Sequence, residues 1–288
     1  MYSNIFMICD GSLTIDVMGF LKHMEQETKH SVIWTGGGAA SLVVFLKSLG
    51  FTYDQIVDNL LKLDSLTSLV FGGCIDLNAS RDINEDLNDW FNHIFSNKKL
   101  FNKDITLKEI YKMTKIFPNF IVYDENITSL NPVSAPDFKL KDCVMASLTD
   151  FGSLEHHIIE NTKYTSFSTF DVYPYSQNFT LKDDSKTLYI ANFSIPTHKP
   201  YSYLETVQNS LQKIYFQRVK KCVEDNLDVA LVNGFIHGFD IEEYEKNKSL
   251  ENGKLHAEMF LNGEDTRSKM IEMIEEVKNQ SYTKIKTK

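Results

Sequence analysis

A chain of 288 residues, 42% hydrophobic and 24% charged, can bury the core of one domain or two small ones, which excludes a disordered tail or a collagen-like rod. Its 30 Lys+Arg against 39 Asp+Glu leave a net charge of -9, which repels phosphate backbones and disfavours nucleic acid as a partner. Four cysteines, Cys9, Cys74, Cys143 and Cys222, stand far apart with no zinc-type spacing. Reduced thiols, no metal or other cofactor and a cytoplasmic location are therefore expected. No window approaches the ~20 apolar residues of a membrane span, and no secretory leader is visible.

In chain order, Asn4 to Cys9 is an apolar run ended by Asp10-Gly11-Ser12, and Ile15, Met18, Phe20 and Leu21 then recur at helical spacing up to Met24. The unit repeats at once: Ser31 to Trp34 is a strand, Thr35-Gly36-Gly37-Gly38 a turn, and Ala39 to Leu49 a helix stopped by Gly50. That helix is apolar nearly all round and belongs inside the protein. Two successive strand-turn-helix units imply a parallel α/β sheet. Thr52 reads as the N-cap of the next helix, and Thr106 with Glu109 as the capping box of another. Leu87 to Phe95, with Trp90 and Phe91, is an amphipathic helix whose aromatic face suits core packing, with a partner or interfacial role as the competing reading. Phe120 to Tyr123, Leu188 to Ala191 and Val229 to Val232 are strand candidates; Cys143 to Ser147 is a buried helical or extended stretch. A long amphipathic helix is expected from about Tyr201 to Glu224, and a polar tail from Asp265 onwards.

A strand that passes through glycines into a helix N-terminus collects unpaired backbone N–H groups, an anion trap. Thr35-Gly36-Gly37-Gly38 has that form, but no Gly-Lys-Ser/Thr follows and Ser41 stands where a dinucleotide fingerprint has glycine. The same geometry hosts the nucleophile elbow. Here the sequence resembles the patatin-like phospholipases, especially the short viral forms. The resemblance rests on Ala39 to Ile56 after the elbow, on Ile105 to Lys115, on Val144 to Thr149 in place of an alanine-serine run, and on Tyr164 to Pro174 in place of the aspartate strand. Gly238 to Ile241 and Gly253 to Leu261 resemble the closing helix. It spans about residues 5 to 262 and implies a three-layer fold, a central, mainly parallel sheet flanked by helices, as a single domain over 1–262, with 263–288 a polar helix or tail.

The chain departs from the family where its chemistry lies. The elbow's serine position is read as Gly36, which cannot form an acyl-enzyme. The dyad's aspartate position, aligned through Tyr164 and Pro174, is Ser166, followed by Phe167 and Ser168 where two glycines belong. In the oxyanion loop Asp10, Gly11 and Ser12 remain, but Leu13 replaces the usual basic residue and Asp10 brings a carboxylate towards the developing negative charge. Gly36, Gly37 and Gly38 are then either a tight turn or the remnant of an anion or ligand site. Among alternatives, Ser12, Ser31 and Ser41 are weighed as relocated nucleophiles, and His156-His157 beside Glu155 and Asp150 as a metal or base site, against a plain polar loop. His237 reads as a loop residue, and Asn97 to Lys103 as a solvated loop with a weak basic-aromatic character.

The resemblance with these losses points to a pseudoenzyme that serves interaction or assembly, such as a viral structural component, with a protein partner or homo-oligomer. The competing expectations are a lipid acyl hydrolase whose dyad is registered elsewhere, and a module that keeps a lipid or acyl pocket without chemistry.

Overall fold

The computed structural model describes residues 1–9, 13–28, 32–63, 77–148, 157–166, 186–194, 229–234 and 243–263. The expected helix over 201–224, the loop at 10–12, His156, His237 and the polar tail lie outside them. The chain opens with β1 (Asn4–Cys9), α1 (Leu13–His23) and the short α2 (Glu25–Thr28). The second unit follows, β2 (Ile33–Gly38) and α3 (Ala40–Ser48), as the paired pattern predicts. After it come α4 (Tyr53–Leu60), α5 (Leu77–Asn97), α6 (Leu107–Thr114), the hairpin β3 (Phe117–Tyr123) and β4 (Ile127–Leu130), and α7 (Leu140–Leu148). The remaining elements are β5 (His157–Ile159), β6 (Thr162–Ser166), β7 (Thr187–Ser194), β8 (Val229–Gly234) and α8 (Glu243–Leu261). The closing helix thus starts ten residues before the Gly253 that the resemblance offered, and Cys143 to Ser147 is helical.

One sheet holds the strands in the hydrogen-bonded order β5-β6-β3-β2-β1-β7-β8, with β4 also on β3. The run β3-β2-β1-β7-β8 is parallel; β4, β5 and β6 pair antiparallel. The pairings fix one further relation. Phe120 pairs with Gly36 of β2 and with Leu130 of β4, so these strands occupy opposite edges of β3. Val122 and Tyr123 pair with β4 and with Ser166 and Thr165 of β6, so β6 must lie on the edge that β2 occupies lower down. β2 and β6 therefore run end to end along the same side of β3.

The side of the sheet that receives α3 is apolar: Ile5, Met7, Trp34, Phe120, Val122, Leu188, Ile190, Ala230 and Val232 are all buried there and join the main core. Helix α3 supplies Leu42, Val43, Val44, Phe45 and Leu46. Phe45 meets Trp90, Phe91 and Phe95 of α5 at ring-centroid distances of 5.8, 5.1 and 5.7 Å. The aromatic face of α5 is core, the reading the sequence favoured. The opposite side is buried too but carries a polar ladder: Asn119 Nδ2 donates to Thr35 Oγ1 and Asn131 Nδ2 to Asn119 Oδ1, at 3.2 and 3.1 Å. Burial on both faces is what a parallel sheet flanked by helices requires. Both capping boxes form: Thr52 with Gln55 and Thr106 with Glu109. The stretch after α5 is more than a solvated loop, because Phe101 is buried and Lys98 Nζ stands 4.2 Å from the Phe51 ring centroid.

Candidate functional site

Three strand ends, of β1, β2 and β6, come to the carboxyl end of the parallel strands, where α/β sheets place their ligands. β2 keeps its pairing with β1 as far as Cys9 and Gly38, yet leaves β3 after Gly36 and Phe120. Carrying the β2–β3 register two residues further would set Gly38 level with Val122, and Val122 is the residue that Ser166 pairs with. Ser166 thus enters the gap beside Val122 that β2 vacates. The turn after β2 and the end of β6 thus lie at the same level of β3, and β1 ends at Cys9, which pairs with Gly38.

The three glycines play different parts. Gly36 is inside the strand, and a Cβ on it would stand 2.7 Å from Val44 Cγ2 and 2.8 Å from the Ala40 carbonyl oxygen, so α3 lies directly on this backbone. No side chain fits there. Gly38, with φ +60°, is the residue that turns the chain from strand to helix. A strained left-handed residue between strand and helix is the hallmark of an elbow apex. Gly38, two residues beyond Gly36, is thus the apex of the strand-to-helix turn. Helix α3 begins just beyond it, at Ala40, with Ala39 as a cap that offers no side-chain hydrogen bond.

Around the turn the hydroxyls are engaged. Ser41 is fully buried and its Oγ donates to the Gly38 carbonyl at 2.7 Å; Ser147 Oγ on α7 donates to the Ile121 carbonyl at 2.9 Å. Ser166 is fully buried at the end of β6. The Cys143 thiol is pushed well up by burial, with the Asp142 carboxylate adding to it, so it remains a packed, protonated side chain. His157 does not sit in a loop over this mouth: it opens β5, and its Nε2 is 3.3 Å from Asp142 Oδ1. His156, Asp150 and Glu155 lie outside the described residues, as do Asp10, Gly11 and Ser12. Among the described residues no group of His, Cys, Asp and Glu is placed to hold a metal ion. No described helix is long and apolar enough to cross a membrane.

No family model matches the chain, and no curated protein matches it. Solved structures do. VipD from Legionella pneumophila superposes with a TM-score of 0.57 at 8% identity, over 91% of this chain and 67% of VipD. The type III effector protein ExoU gives 0.45 at 10% identity, over 91% of this chain and 53% of ExoU. Full-length ExoU from Pseudomonas aeruginosa in complex with SpcU gives 0.42 at 11% identity, over 90% of this chain and 53% of that one. The chain thus spans two thirds of VipD and about half of ExoU. At such identities the likeness concerns fold, and the fold is the patatin-like α/β arrangement that the sequence resemblance implies.

Proposed function

We propose that this protein is a catalytically inactive patatin-like protein that uses the scaffold, over about residues 1–262, for interaction or assembly with a protein partner or with its own copies. The observation that carries the reading is the register that brings Gly38, at the turn after β2, towards Ser166, which pairs with Val122 of β3. The first, at the elbow apex, has no hydroxyl; the second has no carboxylate to accept a proton. An enzyme that lacks both loses most of its rate acceleration, since nucleophile and base act as one unit. The retained apex and the uncapped start of α3 support an inherited scaffold, and Gly37 and Gly38 remain the place where an anionic or acyl ligand would approach it. A cytoplasmic setting and a viral origin belong to this reading as expectations from the sequence.

The test is intact-mass spectrometry after exposure to a fluorophosphonate, with an active patatin-like hydrolase as control. The wild type is expected to gain no adduct while the control is labelled. A stoichiometric adduct on the wild type would overturn the reading and put the acyl hydrolase first. In a Gly38→Ser/Ser166→Asp double variant, labelling above the wild type would support the assignment of the two positions; labelling only in a Gly36→Ser/Ser166→Asp variant would refute it.

A further inference from the structure

Helices α1 and α8 approach each other closely through two glycines. A Cβ on Gly19 would lie 2.3 Å from the Leu250 carbonyl oxygen, and one on Gly253 only 1.9 Å from that of Asp16. At this crossing Asp16 is 2% exposed, an ionisable side chain in a helix whose Ile15, Val17, Met18, Phe20 and Leu21 are core. Asn252 of α8 donates through Nδ2 to Asp16 Oδ1 at 2.7 Å, and the second oxygen, Oδ2, is buried with no hydrogen-bond partner. An ionised carboxylate with one oxygen unmet in such a place is costly; a neutral carboxyl is far less so.

We propose that Asp16 is a proton-dependent latch between α1 and α8: its neutral form lets the two helices close, and its ionisation loosens α8 from the body of the fold. The groups around it balance in sign. From α8, Lys248 and Lys254 as well as Glu251 and Glu258 line the cleft of about 410 Å³ that Asp16 borders, with Ser249, Asn252 and Leu255. Lys254 is 3.6 Å from Glu251, and Lys246 on the same helix pairs with Asp58 of α4 and with Glu243. Tyr244, Glu245 and His256 are the further titratable groups of α8. On α1, Lys22 pairs with Asp54 of α4 at 2.6 Å, and His23 follows it; α2 adds Glu25 and Glu27. The strands beneath α1 offer the apolar Ile190, Ala230 and Val232. Two cations and two anions on the cleft wall leave burial as the leading cause, and Asp16 is raised to about 7 from 3.8, with Asn252 and, more weakly, its own backbone amide and Ser249 opposing the rise.

The sign follows from proton counting. Between pH 4 and 7 the closed form holds a proton that a detached α8 would release, so closure weakens as the pH rises across that window and levels off above it. From pH 6 to 8 the opening equilibrium should increase about tenfold.

Amide exchange of the full chain, read by mass spectrometry and corrected for intrinsic rates, tests this. Peptides from α8 are expected to exchange about tenfold faster at pH 8 than at pH 6, while those from α6 stay unchanged. In Asp16→Asn the difference should vanish, with α8 protected at both pH values. Equal protection of wild-type α8 at the two pH values, or the same change in Asp16→Asn, would overturn the latch. Should that variant not fold, carbon-13 spectra of aspartate-labelled wild type decide it. One carboxyl titrating near neutral pH supports the proposal, and all titrating below pH 5 refutes it.

Discussion

At Gly36 and Gly38 one residue type answers two demands. Gly36 is needed for space, because α3 rests on its backbone; Gly38 is needed for its positive φ. Adding a methyl group should separate the two. Gly36→Ala forces α3 away from β2 and is expected to cost roughly 1–3 kcal/mol or more as an overpacking change. Gly38→Ala retains the geometry under strain at about 1–2 kcal/mol. Urea unfolding of both variants checks the order; a larger loss at Gly38 would contradict the packing described. The same pair shows why an apex is hard to register from sequence. A run of three glycines fits an elbow in more than one register, and only the start of the helix at Ala40 selects among them. Asp16 escaped notice for a related reason. Acids are common on helices, and its burial depends on α8, more than two hundred residues further along; the hint available was an acid inside an otherwise apolar run.

Local signals carried most at the level of single elements. Thr52 and Thr106 cap their helices as read, each with a reciprocal partner three residues on, since a capping box is a short-range arrangement that needs no tertiary context. Thr106→Ala is expected to cost about 1 kcal/mol, seen as a lower urea midpoint with an unchanged slope. No loss would mean that the isolated Thr106–Lys139 bridge beside it holds the turn instead. Strands β1, β2, β3, β7 and β8 were legible as short apolar runs. The end-to-end placement of β2 and β6 was not, because it depends on which edge of β3 the hairpin strand β4 takes. Asn131, just after β4, is tied to Asn119 of β3, and both are polar residues that an apolar pattern passes over.

For the molecule as a whole, α8 is held against α1 by close backbone approach at Gly19 and Gly253. It closes the fold over α1 and β8 by backbone approach, so bulk rather than lost contact is the threat. Gly253→Ala, with a Cβ 1.9 Å from the Asp16 carbonyl oxygen, should free α8 before the sheet unfolds. Limited proteolysis is expected to cut the variant within 243–263 first, leaving the remainder resistant; simultaneous loss of all fragments would show instead that α8 and the sheet unfold as one unit.

The place of β1 sets a condition on how the chain can be made. It lies between β2, which follows it closely, and β7, whose first residue is Thr187. On a ribosome that adds about 5–20 residues per second, one edge of the central strand stays open for roughly ten to forty seconds. Through that interval Ile5 and Met7 have neighbours on one side only, and the nascent chain is open to edge-to-edge pairing with another copy. Slower elongation before Thr187, or a chaperone that covers an exposed strand, would then govern how much folded protein a cell obtains.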